Sequence, residues 1–578
     1  MPSRNGAAHV VTTSRTYKGR EYKSHLLRRT YREDGKVKKE TLGNLSHLPD
    51  HVVELIKGSL RGVEYAPLEQ VLQISSSRAH GHIQAIMATM QGLGFASMVA
   101  SKPCVQRDIV LALVAARILE PRTKLATTRW WHSTTLAQEF GVTEVSDDDV
   151  YAAMDWLLPR QDTIEKKLAR RHLQRDGLAL YDLSSSYVEG SHCPLATFGY
   201  NRDRKRGTMQ VNYGLLTNAQ GCPVALSVYP GNTSDTATFL PAVERLRTSF
   251  GLEQMVLVGD RGMIAQTTIT TLSTMEGMAW ITALRNGSIR SLVDSGALQL
   301  SLFDTQDLFE FSSPDYPAER FVACKNPALA ALRAHKREAL LVATQANLEK
   351  VRARVAAGKL QGEAAIALAA GKVVDKHKMA KHFSLKITSK AFSFTRSQEK
   401  IDQEAALDGL YVIRTSVPAS KMDAAQCVRN YKSLSNVERA FRSLKTVDLK
   451  VRPIHHYRED RVRAHIFLCM LAYYVQWHMQ QALAPLLFAD EDQASKAQRD
   501  PVKPAKRSEK ALAKVSRKTT EEGLPVHSFR TLLAHMGTIV RNTCSGPKTG
   551  AVSSQFQMTT TPDPLQRKAM ELLQKIAA

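Results

Sequence analysis

Three carboxylate side chains lie in or beside apolar segments of this sequence. Asp182 lies inside the run "LALYDL", and Asp260 ends the run "QMVLVGD". Glu438 borders an apolar stripe that helical spacing predicts for Leu434, Val437, Phe441 and Leu444. A carboxylate that loses water at such a position needs a cation or a metal ion as its partner. These three acids are therefore the candidate functional residues.

Each acid also has a simpler explanation. Arg442 follows Glu438 by four residues, and this order of acid and base gives the favoured helical ion pair, which stabilises a helix by about 0.2–0.5 kcal/mol. Acids in or at the ends of strands, as expected for Asp182 and Asp260, often serve solubility or capping. The wide spacing of the three acids does not predict that they meet. Whether they meet depends on how the helices and strands that carry them pack.

The charge balance predicts a polyanionic partner. The chain has 578 residues, with 79 Lys and Arg against 55 Asp and Glu, and a formal net charge of +24. Each phosphate that a basic side chain neutralises releases condensed counterions, so nucleic acid is the first expectation. The length exceeds the roughly 250–300 residues at which one hydrophobic core stops growing, so we expect two to four domains.

Cysteine usage and apolar runs predict the compartment. Seven cysteines without a C-x-x-C pair argue against a disulfide framework and against a structural zinc site. The adjacent His455 and His456 would point in different directions and make a poor metal pair. The N-terminal residues lack the apolar core of a signal peptide, and the run Ile466–Val475 is shorter than the roughly 20 residues of a membrane span. We expect a soluble, cytoplasmic protein that does not bind a membrane.

The N-terminal third is predicted to be a basic β-hairpin followed by helices. Residues 20–32 and 36–46 flank an Asp-Gly turn, and residues 50–60 have helical periodicity. A basic hairpin fits a DNA groove, but it is also an ordinary solvated surface. Residues 136–157 have the spacing of a helix-turn-helix, with Ser146 as the predicted N-terminal cap of the second helix. That helix begins with three aspartates that would repel phosphate, so packing is the favoured role.

The middle of the chain changes to strands. From residue 177 the apolar runs and helix signals predict the order β-β-β-α-β-α-β, with Asp182 in the first strand and Asp260 at the end of the fourth. A further strand, "LDGLYVIRT", precedes the helix of Glu438. The fold class is therefore α/β, and two of the three acids lie on its first and fourth strands.

This arrangement resembles the ribonuclease-H-like mixed-sheet core of DDE transposases from bacterial insertion sequences. In that family the third acid lies on a helix after the fifth strand, where Glu438 lies here. The runs "YPGNTSD" and "GDRGM" are also similar to the family's motifs. The branch that resolves its ends through DNA hairpins has a long insertion before this helix and a Tyr-x2-Arg-x3-Glu-x6-Lys pattern. Tyr431, Glu438 and Lys445 match it, but Leu434 stands at the arginine position.

The resemblance implies an organisation for the whole chain. It comprises, in order, a basic hairpin and helix segment that is a candidate for DNA binding (1–65), a helical region that is a candidate for binding DNA ends (66–175), the first part of the core (176–286), an insertion subdomain (287–406), the second part of the core with the catalytic helix (407–485), a flexible basic linker (486–525) and a C-terminal helical tail (526–578).

The resemblance also implies the chemistry. Asp182, Asp260 and Glu438 would be catalytic and would bind two Mg²⁺ ions, with Asp182 shared between the ions and Mn²⁺ able to substitute. Tyr431 and Lys445 would hold the DNA backbone near the cut, and Arg439 or Arg442 would replace the missing arginine. Arg442 would also orient Glu438.

The implied function is an Mg²⁺-dependent DNA transposase. It would cut the terminal inverted repeats of an element and join the 3′-hydroxyl ends to target DNA, through a hairpin intermediate in the branch described. The implied partners are double-stranded DNA and a second copy of the chain in the DNA complex, in the bacterial cytoplasm at the nucleoid. Two alternatives remain: a metal-dependent nuclease of the same fold, and a catalytically silent DNA-binding protein derived from a transposase.

Overall fold

The computed structural model describes residues 6–65, 73–203, 205, 207–492, 498–549 and 552–576. The chain divides into two units, of which one comprises Met1–Ser77 with Arg541–Thr559 and the other comprises Arg78–Val540 with Thr560–Ala578. Within the described ranges, none of the helices is long and apolar enough to cross a membrane.

The first unit begins with an antiparallel meander and a helix. Its elements are β1 (Ala8–Tyr17), β2 (Arg20–Glu33), β3 (Lys36–Asn44) and α1 (Asp50–Leu60). The predicted hairpin and helix are confirmed, and Asp34 and Gly35 have the positive φ angles, 49° and 72°, that a tight hairpin turn requires. Strand β1 was not predicted, because its mostly polar residues become a strand by pairing along β2.

Strand β4 (Gln73–Ala79) lies where a helix was predicted. It pairs with the distant strand Val540–Thr549, and the Ser75 hydroxyl donates a hydrogen bond to the Thr543 carbonyl at 3.0 Å. The helical prediction is therefore wrong for these residues, because their partner lies more than 450 residues away in sequence. Residues 66–72 of the same prediction lie outside the described residues.

The rest of that region is helical, as predicted. Its helices are α2 (Gly81–Gly92), α3 (Phe95–Val99), α4 (Val105–Leu119), α5 (Lys124–Trp130), α6 (Leu136–Glu139), α7 (Asp147–Leu157) and α8 (Gln161–His172). The predicted cap of α7 is confirmed, since the Ser146 hydroxyl accepts a hydrogen bond from the Asp149 amide at 3.2 Å. Val150, Met154 and Leu157 of this helix are buried, which supports the packing role.

The core of the second unit is a mixed sheet in the predicted order. Its first elements are β5 (Leu178–Tyr187), β6 (Gln210–Asn218), β7 (Pro223–Pro230), α9 (Asp235–Thr248), β8 (Met255–Val258), α10 (Gln266–Leu272) and β9 (Met278–Ala283). The strands lie in the order β7-β6-β5-β8-β9, with β5, β8 and β9 parallel and the other pairs antiparallel. The α/β prediction is confirmed.

The segment predicted as an insertion extends this sheet. Its elements, with the strand that follows it, are α11 (Asn286–Asp294), β10 (Leu308–Phe311), β11 (Arg320–Lys325), α12 (Pro327–Ala356), α13 (Glu363–Lys376), β12 (Phe383–Ile387), β13 (Phe392–Arg396), α14 (Gln398–Ala405) and β14 (Leu410–Thr415). Strands β14, β11 and β10 continue the sheet beyond β9. A separate hydrophobic cluster forms around Leu341, Leu348 and Ile366. The later part of the insertion therefore packs on its own core, while the earlier part forms another cluster with Leu410 and Val412 of β14.

The remaining elements complete both units. They are α15 (Ala424–Lys432), α16 (Leu434–Arg442), α17 (Glu459–Ala482), α18 (Glu509–Arg517), α19 (Phe529–Met536), β15 (Val540–Thr549), β16 (Val552–Thr559) and α20 (Pro564–Gln574). Part of the predicted flexible linker is packed, since Val502 is buried and its carbonyl accepts a hydrogen bond from Asn326 at 2.7 Å. The predicted helical tail also contains the hairpin β15–β16. Residues 493–497 lie outside the described residues.

Candidate active site

Neighbouring parallel strands place Asp182 and Asp260 at the same level of the sheet. Leu180 on β5 pairs with Val258 on β8, and each acid follows its paired residue by two positions. Asp182 is half-buried, while Asp260 is exposed just after β8 ends. Each carboxylate accepts a hydrogen bond from the next backbone amide, at 2.8 Å for Asp182 and 2.7 Å for Asp260.

Helix α16 brings Glu438 to these strands. It packs on β5 and β6 through a buried face that includes Val437 and Phe441. The Phe441 ring lies edge-on to the Tyr213 ring, with the ring centroids 5.8 Å apart. The apolar stripe predicted from sequence is therefore confirmed. Glu438 lies beside this face and is exposed. Among the described residues neither Glu438 nor Arg442 takes part in a side-chain ion pair, so the helical pair expected from spacing does not form.

The three acids lie close enough to repel one another. The pKa of Asp182 is raised to about 7, mainly by burial and also by the negative charges of Asp260 and Glu438. The Leu183 amide and Arg202 oppose this increase. Such mutual repulsion marks a group of carboxylates whose charge the surrounding protein does not neutralise. Hard oxygen donors with uncompensated negative charge suit a divalent cation such as Mg²⁺. The chemistry of these donors therefore fits a bound cation, while the ligand oxygens of the three described acids do not all lie within 4.8 Å of one another.

Tyr431 and Lys445 lie on either side of Glu438 along the chain, but their environments differ. Burial raises the pKa of Tyr431 to about 12, with further contributions from the charges of Asp260 and Glu438, so Tyr431 lies beside the acids. Lys445 lies in a π-helical turn, Ser443–Val447. Its ammonium donates to Ser184 at 2.9 Å and pairs with Asp203 at 2.8 Å. It is thus held inside the protein.

Leu434 and the two arginines have separate surroundings. Leu434 is half-buried and packs against the main hydrophobic core. Its side chain therefore contributes to packing at the position where the Tyr-x2-Arg-x3-Glu-x6-Lys pattern has an arginine. Arg439 and Arg442 are exposed on α16. They are the basic side chains of this helix that solvent reaches.

Comparison with known proteins identifies the family. A family model described as a transposase DDE domain matches residues 180–475, which is more than half of the chain. The chain belongs to the DDE transposase family. A second model, the N-terminal domain of IS1634 family transposases, matches residues 10–66 of this transposase. The match covers the meander and the helix α1 of the first unit.

A solved structure with a weak likeness to this transposase is the cryo-EM structure of a piggyBac transposase synaptic complex with hairpin DNA. It shares 8% sequence identity with a TM-score of 0.34, over 68% of this chain and 72% of the other. A search of curated proteins gives no significant match.

Several residues around the acids of the transposase were not singled out from sequence. Arg202 pairs with Asp235, at the start of α9. The Asp235 and Asp260 carboxylates both lie near Gly262, since a Cβ built on that glycine would be 4.0 Å from the Oδ2 of Asp235 and 3.8 Å from the Oδ2 of Asp260. Asp235 ends the run "YPGNTSD", which was a usable signal. The Asp203 side chain is only 3% exposed and also pairs with Arg452. The sequence carries no local sign of that pair.

The aromatic side chains of this unit differ in their exposure to solvent. Trp280 in β9 is 2% exposed, so burial, the default expectation for a tryptophan in an apolar strand, is confirmed. Tyr200 is 82% exposed and lies two residues before Arg202, whose guanidinium is 5.9 Å from the Tyr200 ring centre. Phe198 is exposed as well.

Proposed function

We propose that this DDE transposase cuts DNA at the ends of a mobile element and joins the freed 3′-hydroxyl ends to target DNA. The observation that carries the proposal is the convergence of Asp182, Asp260 and Glu438, with the pKa of Asp182 raised by burial and by its two acidic neighbours. Carboxylates that repel one another at an open site need a cationic partner.

The three acids would hold two Mg²⁺ ions, and Mn²⁺ would substitute for them. When bound, such ions activate the attacking oxygen and stabilise the leaving oxygen of an in-line displacement at phosphorus. Each residue's own task follows from its surroundings. The β5 backbone fixes Asp182, and the buried face of α16 holds Glu438 against that strand. Lys445 holds Ser184, two residues beyond Asp182, and so stiffens the strand that carries the acid.

Double-stranded DNA would approach over the exposed face of α16. The net charge of +24 favours a polyanion, and Arg439 and Arg442 are exposed beside Glu438. Tyr431 lies beside the acids and would contact the backbone near the cut. Tyr200 would stack on an unpaired base there. Two copies of the chain would hold the two ends of the element together.

A hairpin intermediate is the finer part of this proposal. Tyr431, Glu438 and Lys445 support it through their spacing, while Leu434 departs from the pattern. Arg439 or Arg442 would supply the missing charge. Products labelled on each strand distinguish the routes, because a hairpin end joins the two strands covalently and migrates as one doubled fragment under denaturing conditions.

The decisive experiment measures Mg²⁺-dependent cleavage of a labelled duplex that carries the repeat flanking the gene. We expect Asp260→Asn and Glu438→Gln to lower the cleavage rate at least about a hundredfold while DNA binding survives. Asp148→Asn, an exposed acid on α7, is the matched control and should cut like the wild type. Cleavage at the wild-type rate by both site variants would refute the assignment.

The same assay separates the alternatives. A transposase joins the cut end to a supercoiled plasmid, whereas a nuclease of this fold cuts without joining. A silent DNA-binding protein would bind the repeat and leave it intact.

A further inference from the structure

A second group of potential metal ligands lies outside the acidic site. His172 is the last residue of α8, Cys222 directly precedes β7, and His478 lies in α17. One donor atom from each residue lies within 4.8 Å of the other two, and in the described part of the chain no other group of three His, Cys, Asp or Glu residues meets this criterion.

The spacing of the donor atoms suits one tetrahedral ion. The Cys222 Sγ lies 3.9 Å from the His478 Nε2. Zinc bonds of about 2.3 Å to sulfur and about 2.1 Å to nitrogen, at a tetrahedral angle, place such atoms about 3.6 Å apart. Cys222 and His478 would therefore close by only a few tenths of an ångström on binding, and the His172 donor lies within 4.8 Å of both.

The surroundings hold the ligands in place. The Tyr474 hydroxyl lies 3.0 Å from the His172 Nε2, and the Tyr474 ring stands edge-on to the His478 ring with centroids 4.7 Å apart. The Cys222 amide donates to the Asn218 side chain at 3.0 Å, which fixes the turn before β7. Contacts of this kind orient metal-binding side chains in known sites.

The burial of the group leaves one side open to solvent. Cys222 is fully buried and the two histidines are half-buried, so solvent reaches the group from the histidine side.

We propose that His172, Cys222 and His478 bind one Zn²⁺ ion, with a water molecule in the fourth position. A set of two nitrogens and one sulfur favours zinc over Mg²⁺, which prefers oxygen. The ion would tie two helices, α8 and α17, to β7, the strand at one edge of the eight-stranded sheet, on which both helices pack. The ion would link these elements and is independent of the proposed DNA chemistry. It also revises the expectation from cysteine spacing, because the three ligands are distant in sequence.

The test begins with the metal content of the full-length chain purified without affinity-tag histidines from zinc-supplemented medium. We expect about one zinc per chain in the wild type and less than a tenth of that in Cys222→Ser and in His478→Gln. Cys193→Ser, a buried cysteine elsewhere, and His456→Gln, a half-buried histidine elsewhere, are the matched controls and should keep the zinc.

Cobalt provides a readout that does not depend on activity. Co²⁺ added to the chelator-treated chain should give the thiolate-to-cobalt absorption band in the wild type and in Asp260→Asn, and no such band in Cys222→Ser. Zinc added back to the chelated wild type should raise its melting temperature. This measurement uses only the wild type, so it tests the proposal even if a variant fails to fold. A wild type without zinc and without the cobalt band, or Cys222→Ser with both, would overturn the proposal.

Discussion

At the scale of single residues, the acidic site is distinguished by which charges are paired. Asp182 has acidic neighbours that raise its pKa after burial, and Glu438 stands free of its expected arginine among the described residues. Lys445, by contrast, is paired with the buried Asp203. The free acids are the groups that can bind cations, while the buried pair fixes the strand and turn around them.

Asp203→Ala should destabilise the fold. Lys445 and Arg452 would each lose a carboxylate partner, and breaking a buried ion pair in this way costs about 3 kcal/mol. The midpoint of urea unfolding measures the loss. Asp375→Ala, which breaks an exposed pair with Lys378, should cost less than about 1 kcal/mol. Equal midpoints for the two variants would mean that the Asp203 pair contributes no more than a surface pair.

Tyr200→Ala should weaken the binding of a repeat duplex that carries an unpaired base at the cut. Loss of base stacking on an aromatic ring costs about 1–3 kcal/mol, and Tyr200→Phe, which keeps the ring, should bind like the wild type. Fluorescence anisotropy of the labelled duplex gives both Kd values. If Phe weakens binding as much as Ala, the hydroxyl and not stacking is responsible.

At the scale of elements, α16 positions Glu438 through its buried face. Two irregularities flank this helix: a break at Ser433, which separates it from α15, and the π-helical turn that carries Lys445. On a regular helix, the spacing of Tyr431, Glu438 and Lys445 would put all three along one edge. The structure gives each of them a different helical segment, so their side chains meet different partners.

Phe441→Ala should lower both stability and cleavage. Phe441 is buried against Tyr213, and truncating such a ring costs about 3–5 kcal/mol. With the buried face of α16 loosened, Glu438 loses its fixed position, so the cleavage rate should fall beyond what the unfolded fraction explains. Calorimetry and the duplex assay at a temperature well below the melting transition separate the two effects. The exposed Ser435→Ala is the control and should change neither.

At the scale of the whole molecule, a buried basic residue joins the helical region to the core. Lys124 on α5 is buried, and its ammonium lies 3.4 Å from the Nδ1 of His465 on α17. Burial, and then the charge of Arg117, lowers the pKa of Lys124 to about 7, while Cys469 opposes the shift. The burial of Lys124 beside Arg117 therefore lowers stability at neutral pH, where the unfolded chain keeps this lysine charged.

Lys124→Met should raise stability, and more so at pH 7 than at pH 10. Between pH 7 and 10.5 the unfolded chain binds a proton on Lys124 that the folded chain lacks, so the cost is fully present below about pH 7 and disappears as the pH approaches 10.5. The expected gain is on the order of 3–5 kcal/mol at neutral pH and below about 1 kcal/mol at pH 10. Melting temperatures of both proteins at the two pH values measure it. An equal gain at both would exclude titration of Lys124 as the cause.

The net charge of +24 predicts strongly salt-dependent DNA binding. Arg439→Ala and Arg442→Ala should each weaken binding across sequences and reduce the slope of log Kd against log salt concentration by about one. Lys378→Ala, an exposed lysine of the insertion that is paired with Asp375, serves as the charge-matched control and should leave the slope unchanged. If both arginine variants keep the wild-type slope of log Kd against log salt concentration, the DNA does not contact this face of α16.

Much of the fold was predictable because its helices and strands follow from local hydrophobic periodicity. The order of strands and helices from residue 177, the apolar stripe of α16 and the cap at Ser146 all follow from residues close together in sequence. Strand β4 and the joining of β10 and β11 to the main sheet were missed, since each depends on a partner strand far along the chain.

The sequence alone thus determined most of the elements, the basic charge and the three acids that are candidates for catalysis. The tertiary structure decided which side chains meet: among the described residues it leaves Glu438 and Arg442 without an ion pair, pairs Lys445 with Asp203, and brings His172, Cys222 and His478 together. The physical reason is the range of the forces involved. Hydrophobic periodicity acts within a helix or strand, whereas an ion pair or a ligand cluster forms only after distant elements have packed.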